Sequence, residues 1–407
     1  MAIPWLADVL RQAGVAVVEE GNWQARGVSG AFAPIGVLWH HTAATSSAGN
    51  PAPALGICIN GRQDLQGPLC HALVDYHGTF HLISANRANH AGDARASGPI
   101  PAGSGNTMLI GWEIDYAGDQ PTGADQAMTA AQYSACVAAT GAVLRRLGRD
   151  ASYARGHRET STTGKIDPSF VDLNAMRAAV QRSMTSNIAV YRGSNSTFYI
   201  RKLDGSGLLA QIPFGASGDL PAVGRYENSP YDNLAVYRPS DTSFYIRPAN
   251  GGAAIRIPFG VTGDLPAPGH YENSPYDNLA VYRPSDASFY IRPANGGAAI
   301  RIPFGQRGDL PAIGRYENSP YDNLAIYRPS EASFHLRMAD GTVQRIPWGN
   351  SGDLPAAGYY EGGPYTNIAV YRPGTNTLYI RRADNTTLTV PFGDGSLGDK
   401  PASGKFQ

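Results

Sequence analysis

The sequence has few cysteines, no excess of either charge and no long apolar run, and each shortage excludes a class of protein. Its 407 residues include 3 cysteines, which are too few for a disulfide scaffold and wrongly spaced for a zinc ribbon. Basic and acidic residues both number 33, so neither nucleic acid nor an anionic membrane surface is an expected partner. No stretch reaches the ~18 consecutive apolar residues of a membrane span, so we expect no membrane insertion.

At this length the chain is expected to hold more than one domain, and its two parts follow different patterns. Residues 1–183 show no repeat, whereas the sequence from Asn187 onward repeats a Tyr-Arg motif, with a Gly-Asp-Leu-Pro motif in step (Gly-Asp-Lys-Pro in the last copy). We predict a first domain of residues 1–183, a linker of residues 184–186 and a repeat domain of residues 187–407. The tyrosines of the five copies, spaced by 46, 45, 45 and 44 residues, are Tyr191, Tyr237, Tyr282, Tyr327 and Tyr371.

Each repeat reads as four short strands, because β-rich runs such as NLAVYRP, SFYIRP and AAIRIPFG alternate with Asn, Gly, Pro and Ser. Four strands in about 45 residues are typical of a propeller blade, and five blades closed into a ring leave no exposed sheet edge. A solenoid built from the same repeat is the alternative. The arginines of the Tyr-Arg motif, Arg192 through Arg372, could contact a ligand or pair with the Asp of Gly-Asp-Leu-Pro, and pairing is favoured.

With these motifs, residues 187–407 resemble actinobacterial and phage propeller blades of the FG-GAP/VCBS type. Such blades usually carry a calcium loop of alternating acidic residues before the strand that here reads LAVYRP. Calcium takes six to eight oxygen ligands, so the substitutions in this loop make calcium binding by the repeats doubtful. The loop here is RYENSPYDN, with Arg225, Glu227, Ser229 and Asn233 where four acids would be expected.

Residues 1–183 mix helix and strand patterns, which predicts an α/β domain with a mixed central sheet flanked by helices. The strand-like runs are GVLWHH, CHALVDY, GTFHLIS and MLIGWEID. The predicted helices start at Pro4, at a capping box formed by Thr129 and Gln132, and at Val171.

The three cysteines are interpreted mainly as packing residues. Cys136 lies on the apolar stripe of the helix that follows Thr129 and is expected to be buried. Cys58 and Cys70 could form a disulfide across a loop, but packing is favoured for them as well.

Histidines are concentrated in the first domain, which holds seven of the nine. His40 and His41 end the run GVLWHH, and adjacent strand residues point to opposite faces, so one can face a cleft while the other supports the sheet. The segment GHRETSTTGKID carries His157 and Asp167. Two imidazoles and a carboxylate would form a three-ligand zinc site with its fourth position open to water. Spacing alone leaves a surface charge cluster as the alternative.

Four motifs, LWHHTA, NHAG, IGWEID and GHRETSTTGKIDPSF, occur in the order found in a known enzyme family. Over residues 30–183 the chain resembles zinc-dependent N-acetylmuramoyl-L-alanine amidases related to peptidoglycan-recognition proteins, and NGRQDLQGPLCH resembles their actinobacterial and actinophage branch. The resemblance implies one catalytic Zn²⁺ ion. The implied roles are zinc ligation by His40, His157 and Asp167, general-base catalysis by Glu113, and stabilisation of the tetrahedral intermediate by Lys165.

Four polar neighbours of these residues have alternative roles. His41 is expected to be structural rather than a ligand. Asp115 lies on the same strand face as Glu113 and is the alternative base. His71 and His90 are expected to line the substrate groove, with a hydrogen-bonded structural role as the alternative.

The resemblance implies hydrolysis of the amide bond between N-acetylmuramic acid and L-alanine in bacterial peptidoglycan, with a repeat domain that binds the wall or a wall polysaccharide. The start MAIPWLADVLRQAG lacks the basic segment and apolar core of a secretory signal. We therefore expect synthesis in a host cytoplasm and action at the cell wall, as in a phage endolysin. The alternatives are a non-catalytic peptidoglycan receptor and an adhesion or assembly protein with a vestigial amidase domain. No oligomeric state is predicted.

Overall fold

In the computed structural model, the chain divides into two compact units, residues 1–184 and 185–407, so the division falls within the predicted linker. The structure describes residues 2–121, 125–202, 205–227, 229, 231–274, 276–317, 319–363 and 365–406. Within these ranges no helix is both long enough and apolar enough to cross a membrane.

The N-terminal unit contains ten strands and six helices among its described residues, with a 3₁₀ turn at Ala151–Tyr153. The strands are β1 (Val17–Glu19), β2 (Gly36–His41), β3 (Gly61–Arg62), β4 (Leu65–Gln66), β5 (Ala72–Val74), β6 (Phe80–Leu82), β7 (Asp93–Ala94), β8 (Gly103–Ser104), β9 (Leu109–Ile114) and β10 (Ala154–Gly156). The helices are α1 (Leu6–Gln12), α2 (Leu55–Asn60), α3 (Gly105–Met108), α4 (Ala130–Arg146), α5 (His157–Thr160) and α6 (Leu173–Ser183).

Six of these strands form one mixed sheet in the order β1-β6-β5-β9-β2-β10, in which β5 and β6 are antiparallel and the other neighbours are parallel. The predicted α/β class is therefore confirmed. Because successive strand residues alternate between faces, the face with Trp39 and Trp112 packs in the main core with α1, α4 and α6. The opposite face carries His40 and Glu113, which are paired in register on β2 and β9.

Helix α4 is fixed by hydrogen bonds at its start and in its middle. The predicted capping box is present: Gln132 N donates to Thr129 Oγ1 at 3.0 Å, and Thr129 N donates to Gln132 Oε1 at 2.9 Å. In the middle of the helix, Thr140 Oγ1 accepts from the buried indoles of Trp39 and Trp112 at 3.0 and 3.3 Å. A buried indole N–H needs an acceptor, so this hydroxyl holds α4 against both central strands.

All three cysteines are free and buried. Cys136 lies in the main core. Cys58 and Cys70 pack together with Leu73 in a small cluster on the other face of the sheet. Burial and the adjacent Cys58 thiol raise the pKa of Cys70 well above its usual range, which favours the unreactive thiol form.

The C-terminal unit consists of five four-stranded sheets within the part of the chain that the structure describes. Three short 3₁₀ turns, Pro329–Glu331, Pro373–Thr375 and Gly395–Leu397, connect some of its strands. The strands are β11 (Ala189–Arg192), β12 (Thr197–Arg201), β13 (Leu208–Pro213), β14 (Leu220–Pro221), β15 (Ala235–Arg238), β16 (Ser243–Ile246), β17 (Ile255–Pro258), β18 (Leu265–Pro266), β19 (Ala280–Arg283), β20 (Ser288–Ile291), β21 (Ile300–Pro303), β22 (Leu310–Pro311), β23 (Ala325–Arg328), β24 (Ser333–Arg337), β25 (Val343–Pro347), β26 (Leu354–Pro355), β27 (Ala369–Arg372), β28 (Thr377–Arg381), β29 (Thr387–Pro391) and β30 (Asp399–Pro401).

The five sheets are the blades of an antiparallel propeller, and each blade joins two successive sequence repeats. The short Leu-Pro strand that ends one repeat pairs with the first strand of the next, as β14 does with β15. The last of these strands, β30, pairs with β11 and connects the end of the repeat region to its beginning. This closure confirms the predicted five-bladed propeller and excludes the solenoid.

A bidentate ion pair recurs in every blade. Arg283 donates from Nε and Nη2 to the Asp264 carboxylate at 2.9 and 3.0 Å, and Asp264 is only 2% exposed. In the closing blade, Arg192 makes the same pair with Asp399 at 2.7 and 2.9 Å. The arginines of the Tyr-Arg motif thus form the structural pairs that the sequence favoured. The other three pairs are Arg238–Asp219, Arg328–Asp309 and Arg372–Asp353.

The polar groups of the loop RYENSPYDN bond to one another. Asn233 donates to the Glu227 carboxylate and accepts from Tyr226 N at 2.9 Å, and Glu227 also accepts from Ala249 N at 2.7 Å. Among the described residues of this unit, no three His, Cys, Asp or Glu side chains converge as a metal site would require.

We expect Arg283→Ala to lower the stability of the propeller by about 3 kcal/mol or more, because it leaves the buried Asp264 carboxylate without its charged partner. The matched control is Arg301→Ala, in the same repeat, whose pair with Asp286 is exposed (48% and 33% of the two side chains). Losing an exposed pair should cost at most about 1 kcal/mol. Differential scanning calorimetry of the full chain measures both, and equal losses would contradict a stabilising role for the buried pair.

Candidate metal centre and active site

Three residues from separate segments meet at the carboxyl end of the central parallel strands, the edge at which α/β sheets bind ligands. His40 is near the end of β2, and His157 directly follows β10, which pairs with β2. Asp167 reaches the same point from the loop after α5. They are the one group of three or more His, Cys, Asp and Glu side chains with converging ligand atoms in the described part of the chain.

The ligand atoms of this group form a nearly equilateral triangle. His40 Nδ1, His157 Nδ1 and Asp167 Oδ2 are each 3.1 Å from the other two. A point slightly above the triangle lies about 2 Å from all three atoms, which is the ligand distance of zinc. Two imidazoles and a carboxylate are also a donor set that zinc accepts. The residues therefore fit the ion that the sequence implied.

The protonation preferences of the group suit cation binding. Burial and the neighbouring His157 lower the pKa of His40 to about 4, so its ring is neutral near pH 7. Burial opposes ionisation of Asp167, but hydrogen bonds with His157 and His40 outweigh it and hold the pKa of this carboxyl below its usual range. A neutral imidazole and an ionised carboxylate are the forms that bind a metal.

Two residues hold the Asp167 loop in place. Arg158 donates from its backbone N to the Asp167 carbonyl at 2.7 Å and from its guanidinium to the Pro168 carbonyl at 2.6 Å. On the other side, His41 Nδ1 accepts from Ser169 N at 3.1 Å. His41 thus has a structural contact next to the metal group and is not part of the converging triad.

Glu113 and Asp115, the two candidate bases, differ in their surroundings. Asp115 is fully buried and accepts from Thr42 Oγ1 at 2.7 Å and from Ala54 N at 3.1 Å. Glu113 instead lines the cavity next to His40, and its Oε2 has no hydrogen-bond partner. The geometry favours Glu113 as the residue able to exchange a proton with a bound molecule.

The pKa of Glu113 is raised well above its usual range by burial and by the nearby Cys58 and Asp167 groups. Lys165, on the exposed loop before Asp167, also lines the cavity, and its positive charge opposes this rise. Stabilising the neutral form favours proton uptake by this carboxyl, which a general base requires.

The metal group lies in a cavity of about 730 Å³, large enough for a sizeable ligand. His90 is among its lining residues, and its ring is next to His40. His71 is not among the residues that line this cavity. It is fully buried, stacks on Phe32 with ring centroids 4.8 Å apart and accepts from Gly111 N at 3.0 Å, which are the contacts of the structural alternative.

Sequence reasoning missed the residues that position the site. Besides Arg158, these include Asn106, whose Oδ1 accepts from the backbone N–H groups of His90 at 2.8 Å and Ala91 at 2.7 Å. Neither periodicity nor spacing marks such residues, since their contacts are with backbone groups distant in sequence.

Comparison with known proteins identifies the class of the first unit. Residues 32–170 match the family Amidase_2, described as N-acetylmuramoyl-L-alanine amidase. The N-terminal unit therefore contains an Amidase_2 domain, and members of that family act on peptidoglycan. No curated protein matches the chain.

Several solved structures share a limited likeness with the chain. A selenomethionine AmpD derivative is 20% identical, with 41% of this chain and 94% of that chain covered and a TM-score of 0.29. Virginiamycin B lyase from Staphylococcus aureus is 9% identical, with 51% and 70% covered and a TM-score of 0.32. A protein of unknown function from Bacteroides caccae is 9% identical, with 51% and 73% covered and a TM-score of 0.33. TM-scores this low assign neither fold nor function.

The buried His71 should make the stability of the N-terminal unit depend on pH. Burial lowers the pKa of His71 to about 3, whereas an unfolded histidine titrates near pH 6.5. As the pH falls, protons bind the unfolded state first, so stability is lost below about pH 6.5 until His71 itself titrates. Between pH 7.5 and pH 5 this one group should cost about 2 kcal/mol. Urea unfolding of the metal-free protein, followed by tryptophan fluorescence, measures the loss.

The control for this prediction is His71→Asn, which keeps an acceptor for Gly111 N but does not titrate. Its loss of stability over the same pH range should be about 2 kcal/mol smaller than that of the wild type. Identical pH profiles for the two proteins would mean that His71 is not held neutral.

Proposed function

We propose that the N-terminal unit is a zinc-dependent amidase that cleaves the bond between N-acetylmuramic acid and L-alanine in peptidoglycan. The observation that carries the proposal is the convergence of His40, His157 and Asp167 beside Glu113, whose Oε2 has no hydrogen-bond partner, within a domain of the amidase family. A zinc ion bound by the three residues would supply a water of lowered pKa and polarise the amide carbonyl.

Glu113 has the position and environment of the proton carrier in this reaction. It lies opposite His40 in the strand register, so both side chains face the cavity. Amide hydrolysis needs a group that takes a proton from the attacking water and gives one to the departing amine. The raised pKa of Glu113 supports both transfers, since the protonated carboxyl is stable enough to persist between them.

Lys165 has the charge needed at the carbonyl oxygen. It is a cavity-lining cation on the exposed loop that also carries Asp167. An ammonium group aimed at the developing negative charge can contribute roughly 3 kcal/mol to a transition state. The loop would thus supply both a metal ligand and the group that stabilises the oxyanion.

The two alternatives considered from the sequence, a non-catalytic receptor and a vestigial amidase, do not require all the groups found in this cavity. A non-catalytic receptor needs only the groove, whereas here the converging ligands, Glu113 and Lys165 share one cavity. A vestigial amidase in an adhesion or assembly protein has no use for a buried carboxylate oxygen kept without a hydrogen-bond partner, as Glu113 Oε2 is. Both observations favour catalysis.

Peptidoglycan digestion with mass spectrometry of the products tests the amidase proposal. Wild-type protein should release intact stem peptides with a free L-alanine amine from purified actinobacterial walls. Chelation by EDTA or Asp167→Ala should abolish release by removing the metal or a ligand, and Glu113→Gln should lower it by about 100-fold or more while zinc remains bound. If zinc-loaded wild-type protein sediments with several wall types but cleaves none, the receptor alternative is correct.

We also propose that the propeller binds the cell wall, and that the chain acts as a phage endolysin made in a host cytoplasm. The pairing of an amidase domain with a five-fold repeated module supports this, because several weak sites on one polymer give avidity without any single tight contact. The ligand would be peptidoglycan or a wall polysaccharide.

One set of loops offers suitable repeated contacts. Before the first long strand of four blades lies a tyrosine beside a basic side chain of another repeat, as in Arg225 with Tyr276 (Cζ to ring centroid 5.7 Å) and Lys405 with Tyr231 (Nζ to centroid 5.7 Å). We call the four tyrosines at this position, one in each of these blades, the loop tyrosines. The tyrosines of the Tyr-Arg motif are fully buried in the blades, whereas the loop tyrosines are partly exposed, and Tyr365 is 37% exposed. The loop tyrosines are Tyr231, Tyr276, Tyr321 and Tyr365.

Successive replacement of the loop tyrosines by alanine should weaken sedimentation of the full chain with purified walls step by step. Each removal deletes one of several linked contacts, so the apparent affinity should fall severalfold per step. The matched series of Tyr→Phe changes keeps the rings and should retain most binding. Undiminished sedimentation of the fourfold alanine variant would rule out this surface, while cleavage of soluble muropeptides checks that the amidase unit is intact.

A further inference from the structure

The two ring nitrogens of His40 have different neighbours. Its Nδ1 faces the other ligand atoms, His157 Nδ1 and Asp167 Oδ2. Its Nε2 lies 3.0 Å from Nδ1 of His90. A neutral imidazole carries one N–H and one lone pair. If His40 Nε2 donates to His90, Nδ1 of His40 holds the lone pair that a metal needs. If His40 Nε2 accepts, Nδ1 carries the proton instead.

The hydrogen bond on the far side of His90 settles this direction. His90 Nε2 lies 3.1 Å from the Leu109 carbonyl oxygen, which can only accept. His90 Nε2 must therefore carry a proton. The His90 ring packs against the rings of His40 and His71, with centroids 5.2 and 5.3 Å away, and a neutral imidazole carries only one N–H. Its Nδ1 is then an acceptor, and His40 Nε2 is the donor. That leaves the lone pair of His40 on Nδ1, directed at the metal group.

The backbone is arranged to hold His90 in this orientation. Asn106 fixes its loop through hydrogen bonds from the N–H groups of His90 and Ala91. On the sheet side, a Cβ atom added at Gly111 would lie 2.4 Å from His90 Nδ1. Gly111 is the central residue between Leu109 and Glu113 on the site face of β9. The absence of a side chain at this one position makes room for the ring.

We infer that His90 is a positioning residue that fixes the tautomer of His40 for zinc binding, and that Gly111 is required because it admits the His90 ring. The inference rests on the proposed zinc site but concerns metal affinity rather than cleavage. Replacing a residue that hydrogen-bonds to a metal-bound imidazole typically lowers metal affinity by about 10- to 100-fold.

Zinc affinity of the full chain, measured by competition with a chromophoric chelator, tests the inference. His90→Leu removes the acceptor, and Gly111→Ala displaces the ring without changing its chemistry. Both should weaken zinc binding by about 10- to 100-fold. His90→Gln can accept from His40 and donate to Leu109, so it should lose less. The matched control Gly56→Ala adds a methyl group where no atom lies within 4 Å and should bind zinc like the wild type.

A second measurement separates positioning from a general loss of structure. In metal-free protein the Asp167 carboxylate, 3.1 Å from His40 Nδ1, competes for a proton on that nitrogen, so nitrogen-15 NMR of the imidazoles should show a larger share of the Nε2-protonated form of His40 in the wild type than in His90→Leu. Wild-type zinc affinity in both His90→Leu and Gly111→Ala, or an unchanged His40 tautomer in His90→Leu, would overturn the inference. Zinc binding with these differences but no peptidoglycan cleavage would refute the amidase proposal alone.

Discussion

The candidate site depends on the in-register parallel pairing of two adjacent strands, Gly36–His41 and Leu109–Ile114. Because side chains alternate along a strand, this register puts His40 and Glu113 on one face and two tryptophans on the other. The tryptophans are fully buried against the helices, so a slip by one residue would expose both indoles and bury the polar pair. The packing of the core and the placement of the reactive groups therefore depend on the same strand register. The hydrophobic core enforces the geometry that the chemistry needs.

Buried carboxylates connect distant parts of the chain in both units. Asp167 meets His40 across 127 residues, and Asp399 meets Arg192 across 207 residues. A carboxylate without water needs charged or N–H partners, so each folded unit requires these segments to come together. In the propeller the partner is a guanidinium fork, which satisfies the carboxylate and leaves a rigid joint. In the amidase domain the partners are imidazoles, which leave lone pairs for a cation.

Much of the fold could be predicted from the sequence because it rests on local patterns. An apolar run marked the strand ending at His41, the capping box marked the start of the long helix at Thr129, and the repeat period indicated the propeller. Local patterns could not tell Glu113 from Asp115, which share a strand face and differ only in tertiary partners. The same limit left the choice between a groove role and a structural role for His71 open. The sequence also did not show which strands share a blade, because a repeat boundary in sequence need not coincide with a sheet boundary in space.

The closing strand at Asp399–Pro401 has a consequence for how the protein is made. Until it has been synthesised, the first blade lacks its fourth strand, and the strand Ala189–Arg192 keeps an open edge. An open edge is a template for pairing with other chains, and contacts that span two hundred residues form slowly. The amidase domain precedes these repeats and can fold while they are still emerging from the ribosome. Newly made chains would thus contain a folded catalytic domain before their ring is complete, and misassembly during production should concentrate in the repeats.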